Sequence, residues 1–228
     1  MFNGQNVGAV VTAAGKGERM GGINKVFSLL GGKEVLAHSV NVLEKCQYVD
    51  QIVIVLRDYD VERGEILRQQ EGWFKVSDIC PGGDKRAHSV KEGIKWLGNC
   101  GWVIIQDGAR PMLNSQMVKD GLEAAAESGA AIAAVAVKDT IKQSDADGFV
   151  LTTPPRETLY AAQTPQIFRA DILEKAYQQE VIETTDDAAL VEKLGIKIKL
   201  YAGSYDNIKI TTPSDITMAE MIWQKRRL

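Results

Sequence analysis

Short apolar runs, almost free of charged residues, recur along the chain at spacings that leave room for a helix between neighbours. Runs of this kind are typical of strands buried on both faces. The predicted strands are 7–11, 51–56, a run ending at 79–80, 102–106 and 131–137. The predicted helices between them are 34–46, 61–70, 87–97 and 115–127. This alternation predicts an α/β fold: a single Rossmann-like, mostly parallel sheet with helices on both faces.

The end of the chain continues the same alternation. Thr184-Thr185-Asp186-Asp187 is suited to cap a helix that ends near Gly195, and residues 196–200 follow as a strand with one polar face. Thr212-Pro213-Ser214-Asp215 then opens a final helix, with proline at its first turn. Because no repeat or low-complexity linker interrupts the 228 residues, we expect one domain, 1–228.

Composition excludes several classes of protein. The net charge of -3 provides no basic surface overall, so we expect no nucleic-acid partner. No apolar run approaches the roughly 20 residues that span a bilayer, and the first residues lack the basic segment of a signal peptide. Cys46, Cys80 and Cys100 are odd in number and form no CxxC pair, which favours free thiols in the cytoplasm.

Residues 138–160 break the alternation. Their polar, strand-like halves flank Asp147-Gly148, a strong hairpin turn signal. A hairpin attached to a parallel sheet can bury little by itself. We therefore predict a protruding β-hairpin dimerisation arm that packs on a second subunit and gives a homodimer. The alternative is a solvated flap.

A glycine-spaced, cationic segment follows the first predicted strand. Gly15 and Gly17 let backbone amides approach an anion, and Arg19 and Lys25 add positive charge. The segment lacks the Gly-Lys-Ser/Thr of a Walker A loop. It loosely resembles a dinucleotide fingerprint, but the second strand ends near Leu56, far too late for that motif's acidic residue. The segment predicts a polyphosphate site; a nicotinamide-dependent oxidoreductase is the alternative.

Further charged or glycine-rich segments follow other predicted strands, at the edge where open α/β sheets bind their ligands. They are Gly82-Gly83-Asp84, Asp107 to Arg110 and the exit of strand 131–137. Together they predict a substrate crevice. His38 and His88 each precede a serine in a predicted helix, where adjacent residues do not face one another, so neither indicates a catalytic triad. The scattered histidines and cysteines predict no zinc cluster and no metal site built from protein ligands.

The chain also resembles a known family through motifs spread over almost its whole length. In chain order they are Ala13-Ala14-Gly15-x-Gly17-x-Arg19-Met20 with Asn24-Lys25, Gly82-Gly83-Asp84-x-Arg86-x-x-Ser89-Val90, Asp107-x-Ala109-Arg110-Pro111, Asp139-Thr140, Gln163-Thr164-Pro165-Gln166, Thr185-Asp186-Asp187 and Asn207-Ile208-Lys209. In this combination the chain is similar to the 2-C-methyl-D-erythritol 4-phosphate cytidylyltransferases. The resemblance implies transfer of CMP from CTP to that sugar-alcohol phosphate, with release of pyrophosphate, in the non-mevalonate isoprenoid pathway. It also implies Mg²⁺, held mainly by the CTP phosphates, and a homodimer whose arm helps to build the acceptor site.

The resemblance assigns a role to individual residues. The catalytic positions are Arg19 and Lys25, which stabilise the transition state, and Arg156 and Lys209, which position the acceptor phosphate. The CTP-binding positions are Ala13, Ala14, Gly15, Gly17, Gly83, Asp84, Ser89 and Gly108. The acceptor-binding positions are Asp107, Arg110, Thr140, Thr164 and Thr185.

The sequence departs from the family pattern at a few positions. Thr12 replaces a usual proline, Val26 a common glutamine and Gly108 a common alanine. None removes a charge, so they affect the expected acceptor more than the expected reaction. The alternatives are a cytidylyltransferase for another polyol phosphate, such as ribitol 5-phosphate, and a catalytically inactive nucleotide sensor.

Overall fold

A computed structural model of the chain describes residues 1–15, 24–179 and 184–227. Its strands are β1 (Val7–Thr12), β2 (Leu29–Leu30), β3 (Lys33–Glu34), β4 (Gln51–Leu56), β5 (Val76–Pro81), β6 (Trp102–Asp107), β7 (Ala130–Ala136), β8 (Gln143–Ser144), β9 (Val150–Thr152), β10 (Tyr160–Arg169) and β11 (Lys199–Ala202). Its helices are α1 (Val35–Lys45), α2 (Val61–Glu71), α3 (Arg86–Lys95), α4 (Ser115–Ser128), α5 (Ala170–Gln178), α6 (Ala188–Glu192) and α7 (Pro213–Arg227).

The central sheet has seven strands in the order β11-β7-β10-β6-β1-β4-β5. Every neighbouring pair is parallel except those of β10, which runs antiparallel to both β6 and β7. The predicted α/β class with a mostly parallel sheet is confirmed. Connections between parallel strands require crossovers, so the carboxyl ends of β1, β4, β5 and β6 meet at one edge.

Alternate residues of β1 enter cores on opposite faces of the sheet, which explains its unbroken apolar sequence. Val7, Ala9 and Val11 pack with α1, α2 and α4 on one face. Val10 packs with α3, α5 and α6 on the other. Helices therefore cover both faces, as predicted.

Several elements were not predicted, among them β2 and β3, and one predicted strand is displaced. Strand β10 and helix α5 fill the region between the arm and residue 179, and β10 enters the centre of the sheet. The strand predicted at 196–200 begins instead at Lys199 and pairs with β7.

The predicted hairpin of residues 138–160 is present as β8 and β9, which pair with each other and with no strand of the central sheet. Its apolar residues face solvent: Phe149 is 73% exposed and Leu151 is 62% exposed. The role of this arm in dimerisation stays a prediction, because the structure contains one chain.

The last helix, α7, closes a small third core beside the sheet. Leu30 of the β2–β3 hairpin, Met112 and Ile210 are buried there against α7. Gly31 has a positive φ of 57°, and a Cβ built on it would lie 2.2 Å from Trp223 Nε1, so this turn requires glycine. None of the helices in the described residues is long and apolar enough to cross a membrane.

Candidate active site

The carboxyl ends of the parallel strands are joined by backbone hydrogen bonds between successive loops. The amide of Ala13 donates to Val55 O at 2.7 Å, and the amide of Gly82 donates to Leu56 O at 2.7 Å. The amide of Gly108 donates to Thr12 O at 2.9 Å. These bonds bring the start of the glycine segment, the 82–84 turn and the 107–110 turn to a common edge, as the sequence predicts.

A cavity of about 170 Å³ lies between the first two of these segments. Ala13, Ala14 and Gly15 line one side of it, and Lys25 also contributes to the lining. The opposite side is lined by Gly83, Asp84 and Ser89. Backbone groups and small side chains thus provide much of the wall, which suits a nucleotide lying close to the main chain. Gly17 and Arg19 lie outside the described residues.

Gly82 permits the two sides of this cavity to come together. A Cβ at this position would lie 2.5 Å from the Cβ of Ala14 and 2.6 Å from Ser89 Oγ, closer than atoms can pack. Ser89 is buried, and its hydroxyl donates to Gly83 O or Lys85 O, each at 3.3 Å. The serine therefore fixes the turn that carries Gly83 and Asp84.

Gly108 is buried behind the cavity, and its amide is bonded to Thr12 O. An added Cβ would lie 3.0 Å from Leu36 Cδ1 and 3.1 Å from the Cβ of Ala13, so an alanine would force small shifts. Its neighbours, Asp107 and Ala109, line the cavity.

Asp107 sits at the centre of a cluster of cations. Lys209 Nζ lies 2.9 Å from its Oδ2, Arg110 Nε lies 3.3 Å from the same oxygen, and Arg86 Nε lies 3.7 Å from Oδ1. Burial by itself raises the pKa of the Asp107 carboxyl, but Lys209, Arg86 and Arg110 outweigh it and hold that pKa below its usual range. Asp107 is therefore ionised at neutral pH, and it orients cations that would otherwise repel one another.

Arg86 connects this cluster to a second buried carboxylate. Its Nη1 lies 2.7 Å from Oδ2 of Asp187, whose Oδ1 accepts a hydrogen bond from the Tyr177 hydroxyl. Burial lowers the pKa of the guanidinium, but Asp187 and Asp107 raise it overall, so Arg86 stays charged. The sequence motifs contain Arg86 and Asp187, yet the sequence analysis assigned neither a role in the substrate site. Their pairing depends on a contact between distant parts of the chain.

A second cavity, of about 200 Å³, adjoins the first. Arg86, Asp107 and Lys209 line both, and Arg110, Thr164 and Thr185 line the second. Thr164 Oγ1 accepts a hydrogen bond from the amide of Asp107 at 3.0 Å, which fixes the threonine beside the cluster. Four of the predicted acceptor residues are thus together: Asp107, Arg110, Thr164 and Thr185.

Asn207 holds the segment that carries Lys209 against β10. Its Nδ2 donates to Thr164 O at 2.9 Å and to Gln163 Oε1 at 3.3 Å. Its own carbonyl accepts from Arg110 Nη1 at 2.7 Å. Asn207 is fully buried, so Lys209 extends from a fixed anchor into the wall shared by both cavities.

The model of the 2-C-methyl-D-erythritol 4-phosphate cytidylyltransferase family matches residues 7–225. The chain belongs to this family. The predicted family and the predicted enzyme class, a cytidylyltransferase, are confirmed.

Individual family members match over nearly the full length. The 2-C-methyl-D-erythritol 4-phosphate cytidylyltransferase of Dehalococcoides mccartyi is 48% identical over 227 residues, covering 100% of both chains. The enzyme of the same name from Caldanaerobacter subterraneus is 40% identical, covering 96% of this chain and 100% of the relative. The crystal structure of 4-diphosphocytidyl-2C-methyl-D-erythritol synthase from Anaerococcus prevotii matches with a TM-score of 0.86 at 30% identity, covering 97% of this chain and 100% of that one.

Two residues that the family resemblance assigns to the acceptor site lie apart from both cavities. Thr140 and Arg156 are on the arm, and both are exposed. Arg156 Nη1 donates to Lys138 O at 2.9 Å, a contact within the arm. Among the described residues, Lys209 lines both cavities and Arg156 lines neither.

Proposed function

We propose that the chain transfers CMP from CTP to 2-C-methyl-D-erythritol 4-phosphate and releases pyrophosphate, a step in the synthesis of isoprenoid precursors by the non-mevalonate pathway. One observation carries this proposal beyond family membership. Two adjoining cavities share a wall made of Arg86, Asp107 and Lys209, so that two anionic substrates could meet across a cationic boundary. The family model and the relatives support this acceptor, and ribitol 5-phosphate is not favoured.

The chemistry follows from the charges of the reactants. An oxygen of the acceptor phosphate attacks the α-phosphorus of CTP, and the bond from that phosphorus to the β-phosphate oxygen breaks. The acceptor phosphate is already an anion, so the reaction needs no general base to create the nucleophile. The obstacle is repulsion between two anions, which positioned cations reduce most in the transition state.

In this mechanism the first cavity holds CTP. Ala13 lines the phosphate side of this cavity, but its amide is bonded to Val55 O, so the amides of Ala14 and Gly15 contact the phosphates. Lys25 stabilises the transition state and the leaving pyrophosphate, and Gly83, Asp84 and Ser89 hold the cytosine. We assign Gly17 and Arg19 to the same phosphates from the family resemblance. Gly108, whose amide is already bonded to Thr12 O, acts by letting Ala13 pack closely rather than by binding the ribose directly.

The second cavity holds the acceptor. Lys209 and Arg110 are placed by Asp107 to receive its phosphate, with Thr164 and Thr185 beside them. We assign Arg156 and Thr140 to the same substrate across a dimer interface. In this arrangement the arm of one subunit contacts the acceptor bound in the second cavity of the other subunit. The exposed apolar residues of the arm, Phe149 and Leu151 among them, support such an interface because large apolar side chains on a protruding hairpin are otherwise costly.

Family members use a divalent metal ion, and we propose Mg²⁺ carried by CTP. The described residues contain no group of three or more His, Cys, Asp or Glu side chains that could hold a metal. Asp107, which lines both cavities, is instead engaged by cations. This chain therefore fits a metal held by the triphosphate oxygens, where it would offset their charge.

We also propose that the chain works as one domain in the cytoplasm. Strands of a single sheet come from residues 7 to 202, and α7 packs beside that sheet. All three cysteines are free, which suits a reducing compartment.

Pyrophosphate release tests the reaction. Purified protein with Mg²⁺ is incubated with CTP and either 2-C-methyl-D-erythritol 4-phosphate or ribitol 5-phosphate, and CTP is replaced by UTP or ATP in parallel. We expect release with CTP and the methylerythritol phosphate at a rate at least tenfold above every other combination. Faster release with ribitol 5-phosphate would overturn the acceptor, and equal rates with UTP would overturn the nucleotide.

A further inference from the structure

A short turn behind the first cavity contacts Gly15 and Asn24, which flank the glycine-rich segment after β1. The turn comprises residues 57–60, directly after β4, and is called here the 57–60 turn. Arg57 Nη2 donates to Gly15 O at 2.5 Å. Asn24 Nδ2 donates to Oδ1 and Oδ2 of Asp60 at 3.0 and 2.9 Å. The 57–60 turn thus holds both Gly15, which precedes residues 16–23, and Asn24, which follows them.

The turn is itself firmly held. Asp60 is only 6% exposed, and its amide donates to Arg57 O at 2.9 Å, which closes the turn. Arg57 also contacts the ring of Tyr59 and donates to its hydroxyl. The preceding residue, Leu56, accepts the amide of Gly82 from the opposite side of the cavity. The turn therefore has a fixed place relative to both sides of the nucleotide cavity.

Capping of helix α2 does not explain why the Asp60 carboxylate is buried. Asp60 immediately precedes α2, where an aspartate often caps the helix, yet its side chain makes no capping hydrogen bond. Both of its oxygens are used by Asn24 instead. Burying a carboxylate is costly unless it is hydrogen-bonded, so the contact is specific to the loop end rather than to the helix.

Asn24 transmits this restraint to the cavity. Its carbonyl accepts the amide of Phe27 at 3.1 Å and the hydroxyl of Ser28 at 3.2 Å, so Asn24 begins a defined turn. Lys25 lies inside that turn and lines the first cavity. Fixing Asn24 therefore restricts where the Lys25 ammonium can lie.

We propose that Asp60 and Arg57 are positioning residues for cytidylyl transfer, which act through Asn24 and Gly15 to hold Lys25 and the amides of Ala14 and Gly15 toward the triphosphate. Neither residue is among those lining the cavities in the described part of the chain. Their effect is preorganisation: the cation and the amides are in place before the reaction, so they need no reorientation as charge develops. This inference rests on the proposed function.

A double-mutant cycle tests the pair, using Asp60→Ala, Asn24→Ala and the double variant in the pyrophosphate-release assay at saturating substrates. We expect each single variant to lower kcat about tenfold. The kcat of the double variant should be no lower than that of the less active single variant, because either change breaks the same contact. The KM for the acceptor should stay within twofold. Asp58→Ala, an exposed position in the same turn, is the matched control and should leave kcat unchanged.

A purely structural role predicts a different pattern. In that case Asp60→Ala would lower the thermal midpoint while kcat, measured well below that midpoint, stayed within twofold of wild type. Rescue is a further check: Asp60→Asn keeps one oxygen that can accept from Asn24 and should recover most of kcat. Unchanged kcat in Asp60→Ala, or a double variant equal to the product of the single effects, would overturn the proposal.

Calorimetric binding of CTP separates this inference from the proposed reaction. We expect Asp60→Ala and Arg57→Ala each to raise the Kd for CTP about fivefold, with Asp58→Ala unchanged. Wild-type protein that binds CTP but transfers nothing to the methylerythritol phosphate would refute the proposed function only. Equal CTP affinities in wild type, Asp60→Ala and Arg57→Ala would count against the positioning role, whichever acceptor is used.

Discussion

Lys209 and Arg156, two of the cations assigned to the acceptor, are held in opposite ways. Lys209 lies at the edge of the sheet, 2.9 Å from a buried carboxylate that two arginines also approach. Arg156 lies on the exposed arm and donates to a carbonyl of that arm. At the sheet edge, Lys209 is paired with a carboxylate of the same chain. On the arm, Arg156 and the apolar side chains are exposed to solvent. This difference fits the proposal that the arm acquires its function on contact with a second copy of the chain.

The sheet edge should account for most of the rate. Lys209→Ala is expected to lower kcat by about 10²–10³, the usual cost of removing one prepositioned electrostatic group. Asp107 keeps Arg86 and Arg110, so no buried charge is left unpaired and the thermal midpoint should change little. Steady-state kinetics checks this, with the surface change Lys199→Ala as control. A fall of less than threefold would mean that the edge is a structural ion cluster.

The apolar face of the arm should control assembly. Placing a carboxylate in a buried apolar contact costs several kcal/mol, so Phe149→Glu combined with Leu151→Glu should weaken dimerisation by about a hundredfold. Analytical ultracentrifugation at micromolar protein measures this, and Asp147→Ala at the hairpin tip is the control. Wild-type protein that sediments as a monomer would contradict the role of the arm in dimerisation.

Arg156 should affect one substrate more than the other. Arg156→Ala is expected to raise the KM for the acceptor about tenfold while the Kd for CTP stays within twofold, since a single charged contact contributes roughly 1–2 kcal/mol. Lys142→Ala, on the same arm, serves as the control for general damage to the hairpin. Equal losses for both substrates would show that Arg156 is not an acceptor residue.

The smallest expected effect comes from the support behind Arg86. Tyr177→Phe removes one hydrogen bond to Asp187, worth about 1 kcal/mol, and should lower kcat/KM about fivefold. Burial and the neighbouring Asp187 raise the pKa of Tyr177, so its hydroxyl stays protonated and donates at all physiological pH values. The ratio of wild-type to variant kcat/KM should accordingly be constant from roughly pH 6 to 9. A ratio that varies with pH would contradict this role.

Sequence reasoning located the parallel core because its strands are apolar on both faces. It missed β10 for a physical reason. That strand contains a proline and the buried polar residues Gln163, Thr164 and Gln166, which resemble a loop. These polar groups bond to Asn207, to the amide of Asp107 and to Asp186, respectively. Because the polar side chains of β10 form hydrogen bonds with residues of the site, β10 can be buried without the apolar pattern by which the parallel strands were recognised.

The same limit applies to the site. Glycines and turn residues at strand ends could be recognised locally, and family motifs placed Asp107, Arg110 and Lys209 together. The partners that fix them could not be inferred, because the contacts of Arg86 with Asp187 and of Arg57 with Gly15 join residues far apart in the sequence. Motifs therefore identified many of the residues that face substrate, and the fold was needed to find the residues that hold them there.

The way the arm joins the sheet makes it a removable module. Tyr160 pairs with Ala136, and the amide of Val137 donates to Leu159 O at 3.1 Å, so the two points where the arm leaves and re-enters are adjacent. If the arm were replaced by a tight turn, β7 and β10 would become an ordinary hairpin within an intact sheet. In the proposed dimer, exchanging arms between relatives would then exchange partner choice and part of the acceptor pocket in a single step, without rebuilding the nucleotide site.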